Sequence, residues 1–99
     1  MLRITVERQV ALVLLVLEGR LSGAWVDELR KVISGLAEEA SANPVRIALT
    51  SVSGVDAGGR LLLSQLHAQG IRFVGSGLNA KALIEEVTQS QKQHAEHPR

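Results

Sequence analysis

The chain of 99 residues carries 11 Lys and Arg against 10 Asp and Glu, and 45% of its residues are apolar. This length and composition fit one globular domain with a single core. The near-neutral charge gives no basis for nucleic-acid binding, and only Trp25 and Phe73 could stack on bases. Because cysteine is absent, disulfides, thiolate catalysis and cysteine metal sites are excluded.

The start of the chain lacks the features of a signal peptide. It has no basic first segment, and Glu7, Arg8 and Gln9 interrupt its apolar residues. The longest apolar run covers residues 10–17, far short of the ~20 residues that span a bilayer. We therefore expect a cytoplasmic protein without direct membrane insertion.

Two strands are predicted to open the chain. Leu2, Ile4 and Val6 alternate with polar residues, which is typical of a strand with one face in water. The continuous apolar run of residues 10–17 predicts a strand buried on both faces. The short polar break at residues 7–9 favours a hairpin, so these two strands are expected to be antiparallel.

Helices and strands alternate in the rest of the chain. Ser22 is the predicted N-cap of a first helix, in which apolar residues recur at helical spacing. The sequence further predicts a strand at residues 45–49, a helix around 61–67 that stops at Gly70, a strand at 71–74 and a short helix at 79–87. From Thr88 the sequence is polar and aperiodic, which predicts a domain of residues 1–88 followed by a flexible tail of residues 89–99.

The order β-β-α-β-α-β-α predicts a single α/β domain. Its sheet is expected to have four strands, mostly parallel, with an opening antiparallel hairpin and helices packed against it. The predicted strand-to-helix loops, residues 19–22, 50–59 and 75–78, meet at one sheet edge. Functional sites of open α/β sheets lie at this edge.

The segment of residues 47–59, the turn Gly19-Arg20-Leu21 and the order of elements resemble the STAS domain of bacterial anti-sigma factor antagonists. The resemblance spans residues 1–87. In that family a strand reading apolar-Asp-Leu-Ser is followed by apolar-Asp-Ser-Ser/Thr-Gly at the start of a helix. A partner serine kinase of the GHKL type, which is itself the anti-sigma factor, phosphorylates the second hydroxyl residue, and phosphorylation ends the complex.

This chain keeps the frame of the family motif but not its hydroxyl groups. Asp56 and Gly59 match the family, whereas Ala48 replaces an Asp and Ala57 replaces the first hydroxyl residue. Gly58 stands at the phosphorylated position and has no oxygen that could accept phosphate. The resemblance therefore implies a binder that stays unphosphorylated at the usual site.

The resemblance also implies a partner-binding surface at the start of the second helix, supported by the turn of residues 19–22 before the first helix. Its predicted residues are Asp56, Ala57, Gly58, Gly59, Arg60, Gly19 and Arg20. Asp56 either contacts the partner or only caps the helix, since Asp is among the preferred N-cap residues. The small residues at 57–59 could cradle an anion, but close packing is the favoured interpretation because no Walker or G-x-G-x-x-G pattern is present.

Nothing in the sequence supplies an active site. Hydroxyls at Thr50, Ser51 and Ser53 could replace the lost phospho-acceptor, although Ser and Thr in such segments are mostly turn formers. No nucleophile elbow is present, and His94 and His97 lack further metal ligands near them. We expect neither enzymatic activity nor a metal or cofactor, and we expect Trp25 to pack in the core.

Two other roles remain open at this point. STAS domains also serve as accessory subunits of membrane transporters, such as ABC-type lipid transporters or permeases, and the departures at Ala48, Ala57 and Gly58 fit that role equally. A ligand-sensing domain is less favoured, because the sequence offers few convergent polar groups. The sequence does not set the oligomeric state.

Overall fold

The computed structural model describes residues 1–36 and 43–96, with side chains described as far as Thr88. In chain order the elements are β1 (Leu2–Arg8), β2 (Val13–Leu21), α1 (Ala24–Gly35), β3 (Val45–Val55), α2 (Ala57–Ala68), β4 (Arg72–Val74) and α3 (Leu78–Glu96). This is the predicted β-β-α-β-α-β-α order.

The four strands form one sheet in the order β1-β2-β3-β4. β1 and β2 are antiparallel, while β2, β3 and β4 run parallel, as the sequence predicted. Both crossovers step in the same direction across the sheet, so their right-handed sense places α1 and α2 on one face. α3 contacts α2 and β3, and it therefore lies on the same face.

The core lies between this covered face and the helices. Its fully buried side chains include Leu15, Leu17, Ile47 and Leu49 from the sheet and Leu29 and Leu63 from the helices. On the opposite face, Leu14, Val16 and Ala48 stay partly exposed. The prediction that residues 10–17 form a strand buried on both faces is therefore wrong, because the described helices cover only one face.

β2 also begins and ends later than predicted. The hairpin turn takes in residues 9–12, where the Gln9 N–H donates to the Leu12 carbonyl at 2.9 Å, and Val10 is fully exposed. At its other end, β2 continues to Leu21 because residues 18–21 pair with residues 51–55 of β3. The predicted loops of residues 19–22 and 50–59 are thus mostly strand. Gly23, rather than Ser22, is the N-cap of α1.

The last helix is longer than predicted. α3 runs from Leu78 to Glu96, so helical backbone continues into the segment expected to be a tail. The flexibility of residues 89–99 stays a prediction, and residues 97–99 lie outside the described part of the chain. Within residues 1–36 and 43–96, no helix has both the length and the apolar character that a membrane span needs.

Candidate functional site

Asp56 joins β3 to α2 and holds the start of two helices. It is the N-cap of α2, and its Oδ1 accepts a hydrogen bond from the Gly59 N–H at 2.8 Å. Its Oδ2 accepts from the N–H of Gly23, the N-cap of α1, at 3.0 Å. The Asp56 N–H also donates to the Leu21 carbonyl at 3.2 Å. One residue therefore ties together the carboxyl ends of β2 and β3 and both helices that follow.

These contacts explain the acidity of the carboxyl group. The N–H groups of Gly23 and then Gly59 stabilise the charged form and lower the pKa of Asp56 below its ordinary value of 3.8. The loss of surrounding water acts in the opposite direction, and the positive charge of Arg20 lowers the pKa further. Asp56 is therefore ionised at neutral pH. Its capping role is confirmed, and contact with a partner stays a prediction.

Gly59 and Gly58 differ in what surrounds them. A Cβ at Gly59 would lie 2.6 Å from Val55 Cγ1 and 2.9 Å from the Leu21 carbonyl oxygen, so the buried start of α2 leaves room only for glycine. This confirms close packing at Gly59. A Cβ at exposed Gly58 would meet only the Asp56 Oδ1, at an ordinary 3.6 Å. A side chain would therefore have space at position 58, so packing does not explain why a glycine replaces the hydroxyl residue there.

The first two turns of α2 present an exposed surface. We call Ala57, Gly58, Arg60 and Leu61 the α2 surface; all four are exposed, Leu61 to 59%. Arg60 Nε lies 3.2 Å from Glu86 Oε1, which links this surface to α3. The predicted site did not include Leu61. The helical phase of Leu62, Leu63 and Leu66, which are all buried, could have shown that Leu61 points away from the core.

The two residues predicted to support this surface both lie in β2. Gly19 has a φ of 106°, and a Cβ there would overlap the carbonyl oxygen of Met1. Gly19, like Gly59, is therefore required by internal packing, and contact of either residue with a partner stays a prediction. Arg20 is exposed, and a Cβ at Gly54 would lie 3.2 Å from its Nη1. The positive charge of Arg20 also lowers the pKa of Asp56.

A shallow groove of about 190 Å³ adjoins the α2 surface. It runs between the end of β3 and the first turns of α3, with Val55, Ala82 and the Arg60–Glu86 ion pair among its walls. The loop between β4 and α3 is held to β3, because the Ser76 N–H donates to Thr50 Oγ1 at 3.0 Å. The Thr50 hydroxyl is thus engaged within the fold.

The other residues considered from the sequence lie elsewhere. Trp25 is partly buried against the core, as predicted. Ser51 and Ser53 are exposed on β3 rather than in a loop. His67 stacks on Phe73, with ring centroids 6.2 Å apart, near the end of α2 opposite Asp56. Among the residues that the structure describes, no three His, Asp or Glu side chains come together as metal ligands would.

Comparison with known proteins identifies the fold. No protein-family model and no curated protein matches the sequence. Among solved structures, the chain is similar to an uncharacterized protein of the DUF3478 family with a SpoIIAA-like fold from Shewanella loihica PV-4. The match has a TM-score of 0.56 and 15% identity, and it covers 94% of this chain and 78% of the other. The chain therefore has a SpoIIAA-like fold, the fold that the resemblance to STAS domains implied.

Proposed function

We propose that this protein is a cytoplasmic, non-catalytic binding module that acts as an anti-sigma factor antagonist. Its partner is a GHKL-type serine kinase anti-sigma factor, and the α2 surface makes the contact. The SpoIIAA-like fold and the motif frame of residues 47–59 support this role. The exposure of Ala57, Gly58, Arg60 and Leu61 at the matching end of the molecule supports the location.

The observation that carries the proposal is that the Asp56 carboxylate accepts two hydrogen bonds, one at the start of each of two helices. Because its carboxylate fixes the first turn of α2 against the start of α1, the α2 surface is held in place before any partner arrives. A surface that is already ordered loses little conformational freedom on binding. An exposed apolar residue, Leu61, beside the cationic Arg60 is a combination suited to protein contact.

The same site explains why the complex with the proposed kinase persists when ATP is present. Residues 57–59 carry no hydroxyl group, so the partner kinase has no oxygen there to which it can transfer phosphate. The module then binds at all times, and its abundance or a third component sets how much partner is captured.

The test is affinity capture from a lysate of the native host, with and without ATP, read by mass spectrometry. The Arg60→Glu variant reverses a charge on the α2 surface. Arg30→Glu on α1 is its matched control, because Arg30 is similarly exposed and also pairs with one carboxylate, Asp27. We expect the wild type and Arg30→Glu to retain a GHKL-type kinase in both conditions, and Arg60→Glu to lose it.

Three outcomes contradict the proposal. The first is equal retention of the kinase by both variants, since the α2 surface is then not the contact. The second is release on addition of ATP with phosphate on Thr50, Ser51 or Ser53, which removes the constitutive part of the proposal. The third is recovery of transporter subunits alone, which assigns the module to a transporter instead.

A further inference from the structure

The sheet face opposite the helices, here called the open face, has an apolar centre. Its central row crosses the sheet from Thr5 through Val16 and Ala48 to Val74, as the strand register shows. Val74 is 36% exposed, and Val16 and Ala48 are partly exposed. Covering this row would remove apolar surface from water, which favours association at this face.

The next row of the open face carries its charge unevenly. It runs Glu7, Leu14, Arg46, Arg72, so in this row the β1 end is negative and the β3–β4 side is positive. On the other side of the central row, Arg3 of β1 pairs with Glu18 of β2. Arg46 Nε is shielded from solvent yet has no hydrogen-bond partner among the described residues. Within the same residues, neither Glu7 nor Arg72 takes part in an ion pair. The face therefore holds opposite charges that are too far apart to satisfy each other.

We propose that a second copy of this chain covers the open face, with a two-fold axis parallel to the strands and between the two sheets. This rotation sets each row of one copy opposite the same row of the other copy. It also reverses the strand order, so β1 lies over the partner's β4. Glu7 then faces the partner's Arg72, and because the interface is isologous this pair forms twice. In the central row, Val16 faces the partner's Ala48.

An axis perpendicular to the strands fits less well. It sets the row containing Leu14 against the row containing Glu18, which puts an apolar side chain opposite a carboxylate. It also sets Glu7 opposite the partner's Arg3, but Arg3 already pairs with Glu18 of its own chain. The parallel axis places Leu14 against the partner's Arg46 instead, whose aliphatic stem packs on apolar surface. Two sheets packed in this way lie about 10 Å apart.

The size of the patch sets the strength of the dimer. Four strands span about 15 Å and three alternating residues span about 13 Å along a strand, which is small for a protein interface. We therefore expect a weak dimer that forms only at high protein concentration. Because α2 lies over the covered face, the dimer leaves both α2 surfaces exposed, so the inference stands apart from the proposed function.

Sedimentation equilibrium over a concentration series of the full chain tests the interface. Glu7→Arg and Arg72→Glu each bring like charges together twice in their homodimers, and we expect each to weaken dimerisation about tenfold or more. An equimolar mixture of the two variants restores both attractive pairs in the heterodimer. We expect the mixture to associate within about threefold of the wild type, whereas the control Arg30→Glu associates as the wild type does.

Either of two results overturns the inference. One is a wild type that stays monomeric up to about 1 mM, a concentration at which even weak specific dimers form. The other is a mixture that associates no better than its components while circular dichroism shows both variants folded. Capture of a kinase through Arg60, as tested above, is unaffected in both cases, so the two proposals fail separately.

Discussion

Asp56 is where two segments 33 residues apart in sequence converge. An N-cap carboxylate ordinarily serves one helix, accepting from an N–H in that helix's first turn. Here the second oxygen accepts from Gly23 at the start of another helix, so the residue acts as both a cap and a tertiary link. Its contribution is expected to depend on its charge, because the donors favour the ionised form.

The first prediction concerns the pH dependence of this link. Because the folded state lowers the pKa of Asp56 below 3.8, its stabilisation is fully present above that value and is lost as the pH falls through the lower folded-state pKa. We expect the difference in free energy of unfolding between wild type and Asp56→Asn to be constant above about pH 5 and to shrink below pH 3.8. Urea unfolding at a series of pH values measures it.

Asp27→Asn is the control for this experiment, since it removes an exposed carboxylate from the first turn of α1. Its difference from the wild type should be the smaller of the two at neutral pH. A difference for Asp56→Asn that is unchanged down to pH 2.5 or so would show that charge plays no part in the link.

The second prediction uses two neighbouring glycines. Gly59→Ala places a methyl group against Val55 Cγ1 and the Leu21 carbonyl, and it should lower the free energy of unfolding by about 1–3 kcal/mol. Gly58→Ala meets no close atom and should be neutral or stabilising by up to about 1 kcal/mol. Urea unfolding of both variants measures the contrast. Equal effects would mean that the close approach at Gly59 is absent.

At the scale of an element, α2 separates its leucines sharply between core and surface. Leu63 is fully buried while Leu61 is 59% exposed, although both belong to the same run of leucines. The third prediction is that Leu63→Ala lowers the free energy of unfolding by about 2–5 kcal/mol, and that Leu61→Ala changes it by no more than about 0.5 kcal/mol. Thermal or urea unfolding checks it, and comparable losses would contradict the assigned phase of the helix.

The number and type of the elements could be predicted because their hydrophobic periods are strong, whereas their ends could not. Val10 has the apolar character of β2 but lies fully exposed in the turn, because the antiparallel pairing of β1 and β2 ends at Arg8 and Val13. The polar stretch of Thr50, Ser51 and Ser53 predicts a loop. It is strand because residues 51–55 find partners in the end of β2, a contact between distant segments that local composition does not contain.

For the molecule as a whole, the fold followed from the order of elements, and the site followed only in part. The cap at Asp56 and the tight packing at Gly59 were predicted from residue type. The bond to Gly23 and the filled space behind Gly19 were not, because both depend on how distant segments meet in three dimensions. That the described helices leave the open face of the sheet uncovered was not predicted. A continuous apolar run predicts a buried strand but does not identify the elements that bury it.

The fourth prediction restores what position 58 lacks. Gly58→Ser has room for its side chain, so it should fold as the wild type does. If the partner is a GHKL-type kinase, as proposed, the purified kinase with ATP should phosphorylate this variant and then release it, while the wild type stays bound and unmodified. Intact-mass spectrometry and a binding assay give the result. Gly58→Ala is the control, and phosphate on that variant would place the acceptor elsewhere.

The position of β1 and β4 at the two ends of the sheet bears on aggregation. An edge strand offers unpaired backbone groups to any other chain, and natural proteins limit this with short strands and charges. β4 has only three residues, and the segment of β1 carries Arg3, Glu7 and Arg8. Neither edge is a good template for adding strands, so growth into fibrils is disfavoured even though the described helices leave one face of the sheet uncovered.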